Sequence, residues 1–355
     1  MKLFRCQACA QVLYFENTRC ERCGHTLGYL PDIAELSALE PRGGTSVAGA
    51  WQALAVPSRR HLFCANAAYD ACNWMVPEAP GGEAFCAACR HNRTVPDLTV
   101  AANLPPWRKL QAAQRRLVYA LLRLGLPLAD RAEDPAHGLA FDVLADLPGT
   151  APTMTGHEDG VITLALSEAD DAERERRRTT MGEPYRTLLG HYRHESAHHY
   201  WDLLVRDGGK LDACRAVFGD DSRDYGEALQ AYYDRGPPAD WQSGFVSAYA
   251  TAHAWEDFAE TWAHYLHIVD TLEMAGALGV RVQPTVAPSL ETKIDVDPYR
   301  ARDIGTLIEA WLPLTYATNS LNRCLGAPDL YPFVLSAPAI AKLGFIHDLV
   351  HGRAG

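Results

Sequence analysis

The sequence predicts an α+β fold in which helix dominates, preceded by two small cysteine-rich modules. Three observations carry this expectation. Eight of the ten cysteines, at 6, 9, 20, 23, 64, 72, 86 and 89, fall in the first 89 residues of the 355-residue chain. Long apolar patterns of helical period begin near residue 105 and recur to about residue 272. Between them lies one short β-branched run, "GVITLAL" at 160–166, which reads as a strand.

The first hundred residues are poor in periodic segments and rich in turn signals. Cys6, Cys9, Cys20 and Cys23 stand as C-x2-C, ten residues, then C-x2-C. Each C-x2-C makes a tight knuckle presenting two thiolates to one ion, and two knuckles complete a closed tetrahedral S4 shell. That spacing predicts a structural zinc ribbon over 1–39. The stretch "EPRGGTSVAG" (40–49) reads as a linker. Cys64, Cys72, Cys86 and Cys89 then form a second set over 50–100, expected to hold a second structural zinc. His61 or His91 are alternative ligands there. Cys214 and Cys324 have no partner at ligand spacing and are expected in the core.

A large domain is expected over 105–355. "LPPWRKLQ" opens a helix with Leu110, Leu117, Leu121 and Leu124 on its apolar side, Pro105 and Pro106 marking its start. "DLPGTAPT" (146–153) separates it from the strand at 160–166. Helices are expected from about Pro184 to Val205, stopped by Gly208 and Gly209, and from Tyr225 to Tyr233, stopped by "GPP". From about Phe245 to Leu272 the pattern is again mostly helical, broken near His253.

Hydrophobic content of 48% and charge content of 22% describe an ordinary globular protein. No run of 18 apolar residues exists, so no membrane span is expected. "MKLFRCQACAQ" lacks the apolar stretch of a signal peptide, and a cytoplasmic location is expected. The net charge of −11 argues against non-specific nucleic-acid binding. The basic runs "WRKLQAAQRR" (107–116) and "ERERRR" (173–178) read as solvated helix faces. No G-x-S-x-G elbow, P-loop or dinucleotide fingerprint is present.

The chemistry concentrates in "HYRHESAHHYW" (191–201). His194 and His198 are four apart, so on a helix they share one face about one turn apart. With Glu195 between them they form H-E-x-x-H, which can grip one Zn²⁺ while the carboxylate reaches its water. His191 stands seven residues, ~10 Å, from His198, too far to share the ion. His199 points away by about 100°. A third ligand must come from elsewhere. "AWEDFAETWAHYLH" (254–267) offers Glu256, Glu260, His264 and His267 as one polar stripe on an otherwise apolar helix. Carboxylates there are costly to bury unless paired or metal-bound.

At this point the chain resembles a known group. "YATAHAWEDFAETW" is similar to the corresponding helix of the gluzincins of the anthrax lethal factor group. There a tyrosine precedes the glutamate ligand by seven residues and an acidic residue follows it by four, the places of Tyr249, Glu256 and Glu260. More broadly, "RHESAHHYWDLLV", "GPPADW", "AYATAHAWEDFAETWAHYLHIVDTL" and the two cysteine sets resemble bacterial zinc-binding metallopeptidases with an N-terminal zinc ribbon, over nearly the whole chain. The resemblance implies a zincin-like catalytic domain with Glu256 as third ligand of a catalytic zinc. It also implies Glu260 on a ligand histidine and Tyr249 as donor to the oxyanion. In such folds the sheet edge beside the H-E-x-x-H helix lines the cleft, so substrate is expected to add as a strand at Gly160, Val161, Ile162 and Thr163. The expected substrate is a peptide or protein. The alternatives are a zinc hydrolase of a non-peptide amide, or a zinc-ribbon module recruiting protein or nucleic acid through a peptidase-like scaffold.

Overall fold

A computed structural model describes residues 1–41, 49–79, 81–146, 149, 153, 155–180 and 186–354. The chain divides into two units, Met1–Tyr192 and Arg193–Gly355.

The first unit opens with a two-residue ladder, β1 (Phe4–Arg5) against β2 (Val12–Leu13), which frames the first cysteine knuckle. An antiparallel sheet follows in chain order: β3 (Thr26–Leu30), β4 (Glu35–Pro41), β5 (Trp51–Ala53), β6 (Arg60–Phe63) and β7 (Met75–Pro77). A bridge from Tyr29 to Trp74 brings β3 back beside the start of β7, so the sheet curls on itself. Leu30, Leu39, Ala53 and Met75 fill its core. At Gly28 a Cβ would lie 2.4 Å from the Met75 sulfur, so any larger residue requires the Met75 side chain to move. Residues 42–48 of the expected linker lie outside the described residues. Its flanks Pro41 and Trp51 pair with each other in adjacent strands. The two cysteine sets therefore hang on one sheet instead of forming two tethered modules.

A second, mixed sheet has the order β10 (Gly156–Glu158), β11 (Val161–Ala165), β9 (Ala140–Leu144) and β8 (Asn92–Thr94). Helix α1 (Leu104–Leu124) connects β8 to β9 and ends at Gly125 with φ +68°. Leu110, Leu117 and Leu121 are buried and Leu124 half-buried, as the periodicity predicts. The run 107–116 departs from expectation. Arg115 is buried on the carbonyl of Ala71, Arg108 donates to the Tyr69 carbonyl at 2.7 Å, and Arg116 meets Glu16 at 2.6 Å. These arginines fasten α1 to the cysteine-bearing loops, whose carbonyls need donors. In α2 (Asp171–Thr180), Arg177 pairs with Glu173 and the buried Glu168, so that run too is partly internal.

The strand at 160–166 forms as expected, but its role as a docking edge does not survive. Val161–Ala165 pairs with β10 on one side and with β9 on the other. Gly160 lies in the two-residue turn of the β10–β11 hairpin, where Asp159 and Gly160 have φ of 45° and 79°. The N–H and C=O groups of Val161, Ile162 and Thr163 belong to a ladder on each side and cannot take up a peptide.

Helix α3 (Leu188–Tyr200) begins in the first unit and carries H-E-x-x-H in the second; the expected start at Pro184 lies outside the described residues. It continues as a π-helical turn, Trp201–Arg206, and stops at Gly209 with φ +68°. Then come α4 (Leu211–Phe218) and α5 (Tyr225–Arg235), which ends at Gly236. The break expected near His253 is the N-cap of α6 (Ala254–Ala277). Phe258, Ala259, Trp262, Tyr265, Leu266, Ile268, Val269 and Leu272 are all fully buried, so α6 is the central helix of this unit. A short ladder, β12 (Arg281–Val282) with β13 (Thr292–Lys293), precedes α7 (Ile304–Cys324) and α8 (Ala337–Val350), and α4, α7 and α8 all pack on α6. Among the described residues, no helix is long and apolar enough to cross a membrane.

Candidate metal centres

Each cysteine knuckle is closed by its own backbone. Ala10 N–H donates to the Cys6 carbonyl at 2.9 Å, Gly24 to Cys20 at 2.8 Å, and Arg90 to Cys86 at 3.0 Å. The first two turns need a left-handed residue, supplied by Ala10 and Gly24 with φ of 64° and 77°. The sulfurs of Cys6 and Cys23, and of Cys9 and Cys20, lie 3.6 Å apart, and those of Cys72 and Cys86 3.7 Å. A tetrahedron of Zn–S bonds near 2.3 Å has edges of about 3.8 Å. The donor sets Cys6, Cys9, Cys20, Cys23 and Cys64, Cys72, Cys86, Cys89 therefore both fit a zinc ion.

The second set is wholly buried. Crowding its thiols drives their proton affinities apart. Hydrogen bonds from Cys72, Cys86 and Cys89 pull Cys64 far down, while burial pushes Cys86 far up. A divalent cation removes that conflict by taking all four as thiolates. Neither alternative histidine joins the set. His91 is engaged by the Leu139 carbonyl at 2.8 Å, and His61 is buried in β6. Cys214 is buried as expected, whereas Cys324 is exposed, because the last turn of α7 faces solvent along with Leu321 and Leu325.

In the second unit, α3 and α6 bring His194, His198 and Glu256 together, with one ligand atom from each within 4.8 Å of the others. Two of these contacts have a direction. His194 Nδ1 lies 2.7 Å from Glu260 Oε1, and Ser247 donates to Glu260 Oε2 at 2.6 Å. A carboxylate on Nδ1 keeps the proton there and turns the Nε2 lone pair toward the ion position, as such carboxylates do for zinc-binding histidines. Nε2 lies 3.0 Å from Glu256 Oε2, yet that oxygen, although buried, makes no hydrogen bond. Two lone-pair-bearing atoms facing each other in this way suit a shared cation.

Glu195 is 8% exposed. Burial, reinforced by the charges of Glu256 and Glu260 and opposed by His194, pushes its carboxyl up to about 7. A carboxylate poised there exchanges protons with water near neutrality. The ring of Tyr249 lies 6.0 Å from that of His194. The remainder of the polar stripe goes elsewhere: His264 Nδ1 meets the Tyr331 hydroxyl at 2.6 Å, and His267 meets Arg193. Outside the ligand group, His191 faces Glu168 at 3.4 Å and the His199 ring packs on Tyr200.

Three residues at this site carry no signal in the motif. Ser247 holds Glu260, and Trp255 packs its ring 4.1 Å from that of His198. Tyr225 donates its hydroxyl to Glu256 Oε1 at 2.5 Å. Tyr225 lies 31 residues from its partner, so no local spacing in the sequence joins them.

Residues 3–100 match the model of a zinc-ribbon domain. Residues 103–349 match that of a family described as "putative zinc-binding metallo-peptidase". An uncharacterized protein of Mycobacterium tuberculosis H37Rv and one of Mycobacterium bovis are each 41% identical over 351 residues, 99% of this chain and 95% of the relative. No solved structure matches.

Proposed function

The chain belongs to that family of zinc-binding metallo-peptidases, and on that premise we propose that it hydrolyses peptide bonds at the site formed by α3 and α6. The observation that carries the proposal is the convergence of His194, His198 and Glu256 beside a buried Glu195. Zinc bound there would act as a Lewis acid, polarising the scissile carbonyl and acidifying a water. Glu195 accepts the proton of the attacking water and returns it to the leaving amine. Tyr249 donates a hydrogen bond to the developing oxyanion. Glu260, anchored by Ser247, keeps His194 in one tautomer. The two cysteine sets, each with four sulfurs, would hold structural ions, and His194, His198 and Glu256 would hold an open, catalytic one. Eight thiols serving as ligands suit a reducing compartment, which supports a cytoplasmic location.

The proposal is tested by offering casein and small amides to the zinc-loaded chain and to Glu195→Gln. Casein cleavage lost in the variant supports peptide hydrolysis. Turnover of small amides alone moves the reading to a non-peptide amide. Absence of both, with zinc in place, leaves a binding scaffold.

A further inference from the structure

We propose that Tyr225 is a positioning residue that fixes how Glu256 presents its carboxylate to the ion, an inference that rests on the metal site proposed above. The two oxygens of Glu256 have different surroundings. Oε2 faces His194 Nε2 at 3.0 Å without a hydrogen bond, whereas Oε1 accepts the Tyr225 hydroxyl at 2.5 Å. Glu256 is only 1% exposed, so Tyr225 stands where water would otherwise solvate Oε1. A donor on Oε1 leaves Oε2 as the oxygen offered to the ion. It opposes rotation of the carboxylate and binding through both oxygens, which would fill the position an open site keeps for water.

The fold holds this donor firmly. Tyr225 is the first residue of α5, whose start is capped by Asp224 accepting from Glu227 N–H at 2.8 Å. Glu256 lies in the first turn of α6, capped by His253 Nδ1 accepting from Trp255 N–H at 3.1 Å. That tautomer leaves the proton on His253 Nε2, which donates to the Arg223 carbonyl at 3.1 Å. One imidazole thus ties the residue two before Tyr225 to the residue three before Glu256. The Tyr225 ring packs edge-on against His253 and Trp255, with centroids 5.4 and 5.7 Å away.

The test uses the full chain with both cysteine sites loaded, and reads the affinity of the labile site by zinc competition with a chromophoric chelator. Tyr225→Phe should bind zinc about 10–100-fold more weakly. After Co²⁺ replaces the labile ion, its visible d–d bands should differ from wild type, which a merely structural tyrosine would not cause. His253→Gln, which breaks the tie but keeps the hydroxyl, should shift affinity in the same direction by less, and it stands in if Tyr225→Phe does not fold. Unchanged affinity and spectrum in these variants overturn the role of Tyr225 alone. A lowered kcat with unchanged affinity overturns it too, making the hydroxyl a donor to the reacting oxygen. A wild-type chain that takes up no third zinc overturns the metal site itself, and Tyr225 with it.

Discussion

The cysteine clusters of the first unit and the histidine–glutamate cluster of the second solve opposite problems with opposite materials. Each cysteine set surrounds its ion position with four sulfurs and with backbone that closes on itself, as in Ala10 to Cys6 and Gly24 to Cys20. Nothing there is left for a substrate. The second-unit cluster offers three ligands of mixed type, places a buried carboxylate alongside, and props its ligands from behind through Glu260, Ser247 and Tyr225. A closed site puts its binding energy into folding; an open one must be held by its surroundings before the ion arrives. The comparison teaches that the two kinds of site should fail differently.

The largest effect is expected at the buried cysteine set. Cys86→Ser removes one ligand from a shell whose zinc contributes on the order of 10 kcal/mol to folding. The first unit should lose its cooperative unfolding transition, read by circular dichroism and by resistance to proteolysis. A variant that stays folded with its other three cysteines metal-free would break the contrast.

Next in size is Glu195→Gln. In the proposed mechanism the removed group acts on water and not on metal, so hydrolysis should fall ~10²–10⁴-fold or more. Zinc content and melting temperature should stay where they were. Substantial turnover in a zinc-loaded variant would remove Glu195 from the mechanism.

Thr163→Pro probes the corrected strand. With β9 and β10 on either side of β11, proline deletes a ladder donor inside a sheet, and the carbonyl left unsatisfied costs about 1–3 kcal/mol. The first unit should be destabilised in denaturant titration whether or not substrate is present. A variant of normal stability with only a raised KM would restore the docking-edge reading.

What the sequence disclosed follows from distance along the chain. The knuckles and H-E-x-x-H are local: spacings of three and four residues fix which side chains meet, whatever the rest of the fold does. Glu256 could be narrowed to a four-residue stripe by burial cost, and singled out only through resemblance. Tyr225 and Ser247 carry no such signal because their contacts with Glu256 and Glu260 depend on how a distant helix start and a loop settle on α6. The strand error had a readable cause. "EDGV" is an Asp-Gly hairpin signal, and it puts a partner strand before residue 161. Arg115 looked like part of a solvated basic run because composition cannot show that a carbonyl, here that of Ala71, waits above the helix.

The smallest expected effect sharpens the contrast from the side of pH. His347 in α8 is held down at about 4, first by burial and then by the charges of His351 and Arg353. Arg353 donates to its Nε2 at 2.7 Å, which requires a neutral ring. Its usual value is near 6.5. The unfolded chain therefore takes up this proton first, and stability fully present above pH 6.5 is lost as pH falls toward 4. The slope is at most about 1.4 kcal/mol per pH unit for one group. Melting temperatures of wild type and His347→Gln should converge on acidification, since the variant lacks this loss. Parallel profiles would show that His347 does not titrate in this window. The metal site contributes equally to both profiles and cancels.

The central claim, two closed ions that build the fold and one open ion that serves chemistry, is tested most directly by counting zinc during graded chelation while following circular dichroism. The account predicts three zinc ions per chain. One should leave under mild chelation with the spectrum unchanged and be lost selectively in His198→Ala. The other two should leave only as the first unit unfolds. Two zinc ions in the untreated chain, or three that depart together with the fold, would contradict it.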